Sequence, residues 1–265
     1  MDRILVAVFP CERQAYDGLR CLAALDQAGT ITVYATAVIA RDDESLMSVK
    51  KPADQGPLGG AVALLTGTLL GPLAGPAGLA VSASVGTLGR VLYDLARVGV
   101  DEDFLTEVGE RLQPGTAALL AEVWEERIAE VDSRFAALGG SAVRRARGEI
   151  IEGRVGRDVV ALRDELESLR QELAHAAEAH RPGLEEKIGA TTVKLRASRE
   201  RVQGVLNAAL KESEAKVSAL GTRVAKEHGA AKATLEARIA ETRSQTERRC
   251  SKLREAWEMA TQALA

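Results

Sequence analysis

Apolar residues open the chain as an unbroken run, Ile4 to Phe9, that stops at Pro10. A short apolar, β-branched run ended by a breaker predicts a buried strand over residues 2–9. From Cys11 to Ala28 the period lengthens: Ala15, Leu19, Leu22, Ala23 and Leu25 fall mostly at helical spacing, and Gly29 supplies a stop. Thr30 to Ala40 (TITVYATAVIA) returns to β-branched residues and predicts a second strand, with Ser45 to Lys51 a weaker partner across the polar turn Asp42, Asp43, Glu44. Further on, the acidic start of Asp101 to Leu112 suits a helix N-terminus, Pro114-Gly115 predicts a turn, and Thr116 to Val123 predicts a strand. Trp124, Ile128, Val131, Phe135 and Leu138 share one helical face, which predicts a helix over 124–138, and Gly139-Gly140 leads to a short strand through Arg147. Two strand-and-helix units separated by an insertion predict an α+β fold whose head, residues 1–150, is a small ferredoxin-like α/β sandwich.

The insertion spans about 55–98. Between Asp54 and Arg90, 35 consecutive residues carry no formal charge, and such a run is rarely solvent-exposed. Gly71-Pro72 and Gly75-Pro76 divide it, so a helical hairpin is predicted, with arms near Leu58 to Leu70 and Ala77 to Gly89. Each arm measures about 20 Å, short of the roughly 30 Å hydrocarbon layer, which makes two clean spans a poor reading. Small residues recur four apart at Gly59, Ala63, Gly67 and Gly71 and again at Ala74, Gly78, Ser82 and Gly86. This glycine-zipper spacing predicts close helix approach, either in lipid or inside a protein core, with Gly59, Gly67, Gly71, Gly78 and Gly86 as the packing positions.

The head resembles a bacterial family of uncharacterised proteins labelled as predicted membrane proteins with a domain of unknown function. The resemblance rests on RILVAVF, AVIARDDES, the glycine-rich run, GVDEDFLTEVGERLQPGTAAL from Gly99 to Leu119, and GGSAVR from Gly139 to Arg144. It covers about residues 1–150 and implies a small α/β head with an apolar insertion, without catalytic residues to carry over.

Beyond the head the pattern becomes helical throughout. Val159, Leu162, Leu166, Leu169, Leu173 and Ala176 follow heptad steps and predict a helix over 151–181, and Arg181-Pro182-Gly183 then predicts a hinge or hairpin. From Leu184 onward, steps of three, four and four select an eleven-residue repeat. Its seam contains Leu195, Val202, Leu206, Val217, Leu220, Val224, Leu235, Ile239, Leu253 and Trp257, and runs through Leu264. One coiled-coil helix of about 120 Å over 182–265 is predicted, and a seam this rich in Ala, Ser and Thr needs helical partners.

Composition separates the two parts. Residues 1–150 carry 14 Lys+Arg against 20 Asp+Glu, residues 151–265 carry 21 against 18, and Trp257 is the one aromatic residue beyond Phe135, so the second part lacks the side chains of a compact core. A net charge of −3 with interleaved signs argues against nucleic acid. Arg144, Arg145 and Arg147 form the one basic cluster, read as a solvated strand end ahead of a phosphate or lipid headgroup site. Cys11, Cys21 and Cys250 have no metal spacing, and there is no cleavable N-terminal signal, which together predict a reducing cytoplasm. Glu172 with His175, and Glu178 with His180, fall short of a di-metal ligand set and read as solvated helix residues. No nucleotide-binding or hydrolase signature occurs, so neither an enzyme nor a cofactor is expected.

The expected function is a membrane-associated homo-oligomeric scaffold, peripheral or re-entrant at the cytoplasmic membrane. Its hairpin contacts lipid and its long helix assembles laterally with other copies. The alternative is a soluble coiled-coil interaction protein with the hairpin buried in an oligomer core.

Overall fold

The computed structural model describes residues 2–54, 56, 58–70, 100–147 and 149–265, and divides into two units, Met1–Gly148 and Glu149–Ala265. In the first unit, β1 (Asp2–Phe9), β2 (Ile31–Arg41), β3 (Met47–Lys51), β4 (Ala117–Glu125) and β5 (Ser141–Ala146) form one sheet in the order β3-β2-β4-β1-β5. Every neighbouring pair is antiparallel: Phe9 lies opposite Ala117, Val6 opposite Val143, and Ile31 opposite Glu125.

Helices cover both faces of this sheet. On one face α1 (Glu12–Gln27) and α4 (Ile128–Ala137) bury Leu22, Leu25, Val131 and Phe135 against Leu5, Phe9, Leu119 and Val123. On the other, α2 (Gly60–Leu70) and α3 (Glu102–Arg111) bury Val62, Leu65, Leu69, Phe104 and Val108 against Ile4, Val6, Ile39 and Leu120. Coverage on both sides explains why β1 and β4 read as continuous apolar runs rather than alternating ones. Phe9 meets Phe135 edge to face at 5.4 Å and 82°. Its ring occupies space left by two glycines: a Cβ would come within 2.5 Å of it at Gly18 and within 2.4 Å at Gly140.

Local signals act as the residue types dictate. The Asp101 carboxylate caps α3 by accepting from the Phe104 amide at 2.8 Å, satisfying one of the free donors of the first turn. Gly29, after α1, and Gly115, before β4, have φ of +74° and +81°, values that L side chains rarely adopt. The helix expected from Trp124 begins four residues later, at Ile128, and Trp124 belongs to β4 opposite Asp2 and Thr32. Its match to the helical period of Ile128, Val131 and Phe135 is coincidental, because the strand is buried through Glu125.

The second unit corrects the expectation of a single long helix. It contains α5 (Glu149–His175), a 3₁₀ turn (Glu178–His180), α6 (Arg181–Val224) and α7 (Gly229–Leu264). The hinge or hairpin expected at Arg181-Pro182-Gly183 is present as the turn over 176–180, and Pro182 sits just after it at the start of α6, where a missing N–H costs nothing. A second interruption, not expected from the sequence, lies at 225–228, where His228 is extended (φ −134°, ψ 161°) and Gly229 has φ +57°. The three helices pack on one another in every pairing. Thr191 Oγ1 donates to Glu165 at 3.3 Å, Thr246 Oγ1 to Ser213 at 2.9 Å, and Arg163 Nη1 approaches Met259 Sδ at 3.8 Å. These pairs place successive helices antiparallel.

Candidate interaction surfaces

α2 is the described part of the apolar insertion. Ala61, Val62, Leu65 and Leu69 face the sheet, while Gly60, Ala63 and Gly67 are exposed. The two threonines place no unsatisfied hydroxyl on the helix: Thr66 Oγ1 donates to the Val62 carbonyl at 2.7 Å, and Thr68 Oγ1 to the Leu64 carbonyl at 2.9 Å. The outward face is therefore small and free of polar side chains. Among the described residues, nothing lies within 4 Å of a Cβ built at Gly60 or Gly67. Gly59 differs from the zipper expectation, since it is buried with its Cβ position 1.5 Å from the Asp54 carbonyl oxygen. A close backbone approach at the helix entry requires glycine there, whatever its spacing to Gly67. Gly71, Gly78 and Gly86, with the second arm, lie outside the described residues. Among the described residues, no helix is long and apolar enough to cross a membrane.

The seam residues differ in burial. Leu195, Val202, Leu206, Leu220, Leu235 and Leu253 are buried, and Val217, Val224, Ile239 and Trp257 are half-buried. Much of what covers them is the chain's own neighbouring helices, so part of the expected need for partners is met within one molecule. Val205, Lys216, Arg238, Ala256 and Ala260 are buried too, each beside a seam residue or one place off it. A helix facing two neighbours buries a wider stripe than a helix facing one. Lys216 enters this stripe with its charge matched by Glu212 at 2.8 Å, one turn earlier. Cys250 is buried in the same seam, Cys11 is exposed and Cys21 half-buried.

The basic cluster is engaged by acidic side chains rather than left as an unpaired strand end. Arg144 Nε donates to Glu125 at 2.6 Å and its Nη1 lies 2.7 Å from Asp132, while Arg147 pairs with Glu122. Arg145 reaches Asp101 at 3.6 Å and Glu107 at 3.5 Å, with its guanidinium 5.2 Å from the centre of the Phe104 ring. Glu122 and Glu125 were absent from the sequence-based candidates, although a signal exists. Residues three apart on a strand face opposite sides of a sheet, and Arg144 and Arg147 repeat the spacing of Glu122 and Glu125. One acid–base pair thus forms on each side.

At the α5–α6 turn, Glu172, His175, His180 and Lys187 line an open cleft of about 480 Å³. The structure brings His175 of the Glu-x-x-His pair and His180 to this cleft, but among the described residues no three His, Cys, Asp or Glu side chains are placed to hold a metal ion.

Residues 57–149 match a family described as a protein of unknown function (DUF1269). The match takes in α2, α3, β4, α4 and β5, and leaves out β1 to β3 and the helical unit. No curated protein and no solved structure gives a significant match.

Proposed function

We propose that the protein is a non-enzymatic, self-associating scaffold that brings its uncharged, glycine-rich segment to a membrane surface. The observation that supports this most is the outward face of α2, which offers only small or apolar side chains and belongs to a stretch of 35 residues without charge. A face with every hydroxyl bonded internally can leave water without stranding a polar group. The position is peripheral or re-entrant, on the cytoplasmic side. The first unit is ferredoxin-like in this reading: the order β2-β4-β1-β5 with α1 and α4 on one face is a double βαβ arrangement, to which β3 adds an edge and α2 with α3 a further layer. The second unit serves self-association as a coiled-coil bundle.

A second reading has support of its own. The inner side of α2 already has a protein core, with Val62 and Leu65 fully buried, as expected of a soluble interaction protein whose hairpin packs within an assembly. Liposome flotation separates the two. Deleting the whole insertion would also remove Leu65 and Leu69 from the sheet, so the informative variants are Ala63→Lys and Gly67→Lys on the outward face. Loss of flotation with an unchanged melting profile supports membrane contact. Undiminished flotation of both variants would sink it.

A further inference from the structure

The break between α6 and α7 interrupts the backbone but not the sequence pattern. Leu220, Val224, His228, Ala231 and Leu235 keep the steps of four, four, three and four that run through the rest of the seam. A hairpin has no use for this continuity, because a turn resets the rotational phase of the second helix. A continuous helix requires it, since only then does one apolar stripe run across the junction.

Three features of the turn agree. No residue from Ala225 to Thr234 is buried, so little packing holds the tip closed. The surrounding sequence, Ala225-Lys226-Glu227 and Ala230-Ala231-Lys232-Ala233, consists of strong helix formers. The closed turn depends on Gly229 at φ +57° and an extended His228. Val224 is half-buried and Ala231 exposed in the hairpin, although both hold seam positions.

We propose that residues 225–229 are a hinge that opens into helix, and that two copies of the chain then exchange α7. α6 of each copy packs on α7 of the other, through the same contacts as in the closed hairpin. The opened helix, Arg181 to Leu264, is about 125 Å long. At the two-fold axis the tips lie side by side and antiparallel, which, in the register of Ser213 opposite Thr246, places His228 of one chain near Ala231 of the other and covers seam positions that the hairpin leaves exposed. Exchange through a short hinge is a low-cost route to a dimer because it adds few new contacts. This proposal rests on the self-association in the proposed function and names its mode.

The test uses the contact between Ser213 and Thr246, whose hydroxyls are 2.9 Å apart across α6 and α7. In the full chain with Cys11, Cys21 and Cys250 replaced by Ala, Ser213→Cys and Thr246→Cys are introduced, and oxidised samples are run on a denaturing, non-reducing gel. A closed hairpin cross-links within one chain; an exchanged pair cross-links between two. Between-chain product that grows with protein concentration is expected. Gly229→Ala should raise its ratio to within-chain product by about tenfold, because alanine is disfavoured at positive φ and favoured in a helix. Inserting Gly-Gly after Glu227 should lower the ratio, and serves as an independent arm if the alanine variant folds poorly. Within-chain product alone, in parent and variants at the highest concentration, overturns the exchange. Light scattering keeps the two ideas apart: a dimer with only within-chain cross-links removes exchange and leaves self-association standing, and a strict monomer removes both.

Discussion

Arg144 and Glu125 share a 2.6 Å charge-assisted hydrogen bond, with the Glu125 side chain fully buried at the end of β4 and Arg144 also ion-paired with Asp132 of α4. The pair fixes the end of β4 to α4 through β5. Removing one partner of a buried ion pair typically costs about 3–5 kcal/mol, and loss of Arg144 falls at the low end of that range because Arg3 Nε still lies 3.8 Å from Glu125. Arg144→Ala is therefore expected to destabilise the first unit by roughly 3 kcal/mol, read as a lower urea midpoint. Arg134→Ala is the control, because its 3.9 Å pairing with Glu130 is exposed and exposed pairs contribute at most about 1 kcal/mol. Equal losses would mean that burial does not govern the Arg144 pair.

The seat of Phe9 predicts a coupled pair. A Cβ at Gly140 would stand 2.4 Å from the Phe9 ring, and Gly140 has no positive φ, so Gly140→Ala is a purely steric insertion. Overpacking of this kind costs about 1–3 kcal/mol. In a Phe9→Leu background the added methyl meets a smaller side chain, and the Gly140→Ala cost should fall by at least half. A double-mutant cycle measured by thermal unfolding checks this, and additive penalties would place the strain elsewhere.

In the helical unit the seam predicts contrasting outcomes two residues apart. Leu195 is completely buried, and Val193 is 64% exposed on the same helix. Leu195→Ala should cost about 2–5 kcal/mol, whereas Val193→Ala should stay within about 0.5 kcal/mol. Hydrogen exchange followed over Glu149–Ala265 measures both without interference from the sheet. Matching protection in the two variants would show that the wrong face had been assigned to the interior.

What was legible in the sequence follows from the range of each signal. Periodicity is local, so β1, α1, β2 and α3 emerged within a residue or two of their observed bounds. The turn at 225–228 was hidden by that same periodicity: the apolar phase passes through it unbroken, and the sole punctuation is Gly229. Glu122 and Glu125 were hidden for another reason. Their role depends on Arg147 and Arg144, which lie 25 and 19 residues away and meet them only across the sheet. Gly59 and Gly67 shared one spacing and proved to have different surroundings, a crowded helix entry and an open face, which spacing alone does not distinguish.

That last difference yields a prediction in which stability and association move in opposite directions. Glycine inside an exposed helix costs about 0.5–1 kcal/mol relative to alanine, and at Gly67 nothing among the described residues stands within 4 Å of the missing Cβ. Gly67→Ala should therefore stabilise the first unit by roughly 0.5–1 kcal/mol in a thermal or urea melt. Leu65→Ala, on the covered side of the same helix, should destabilise it by about 2–5 kcal/mol. If the outward face exists to let another helix approach closely, the added methyl must hold the two apart, and the stabilised Gly67→Ala protein should float less with liposomes, or pair less with its partner helix, than the parent. A variant both more stable and undiminished in association would mean that Gly67 is simply an unoptimised helix position, and that close approach on this face is not what its small residues serve.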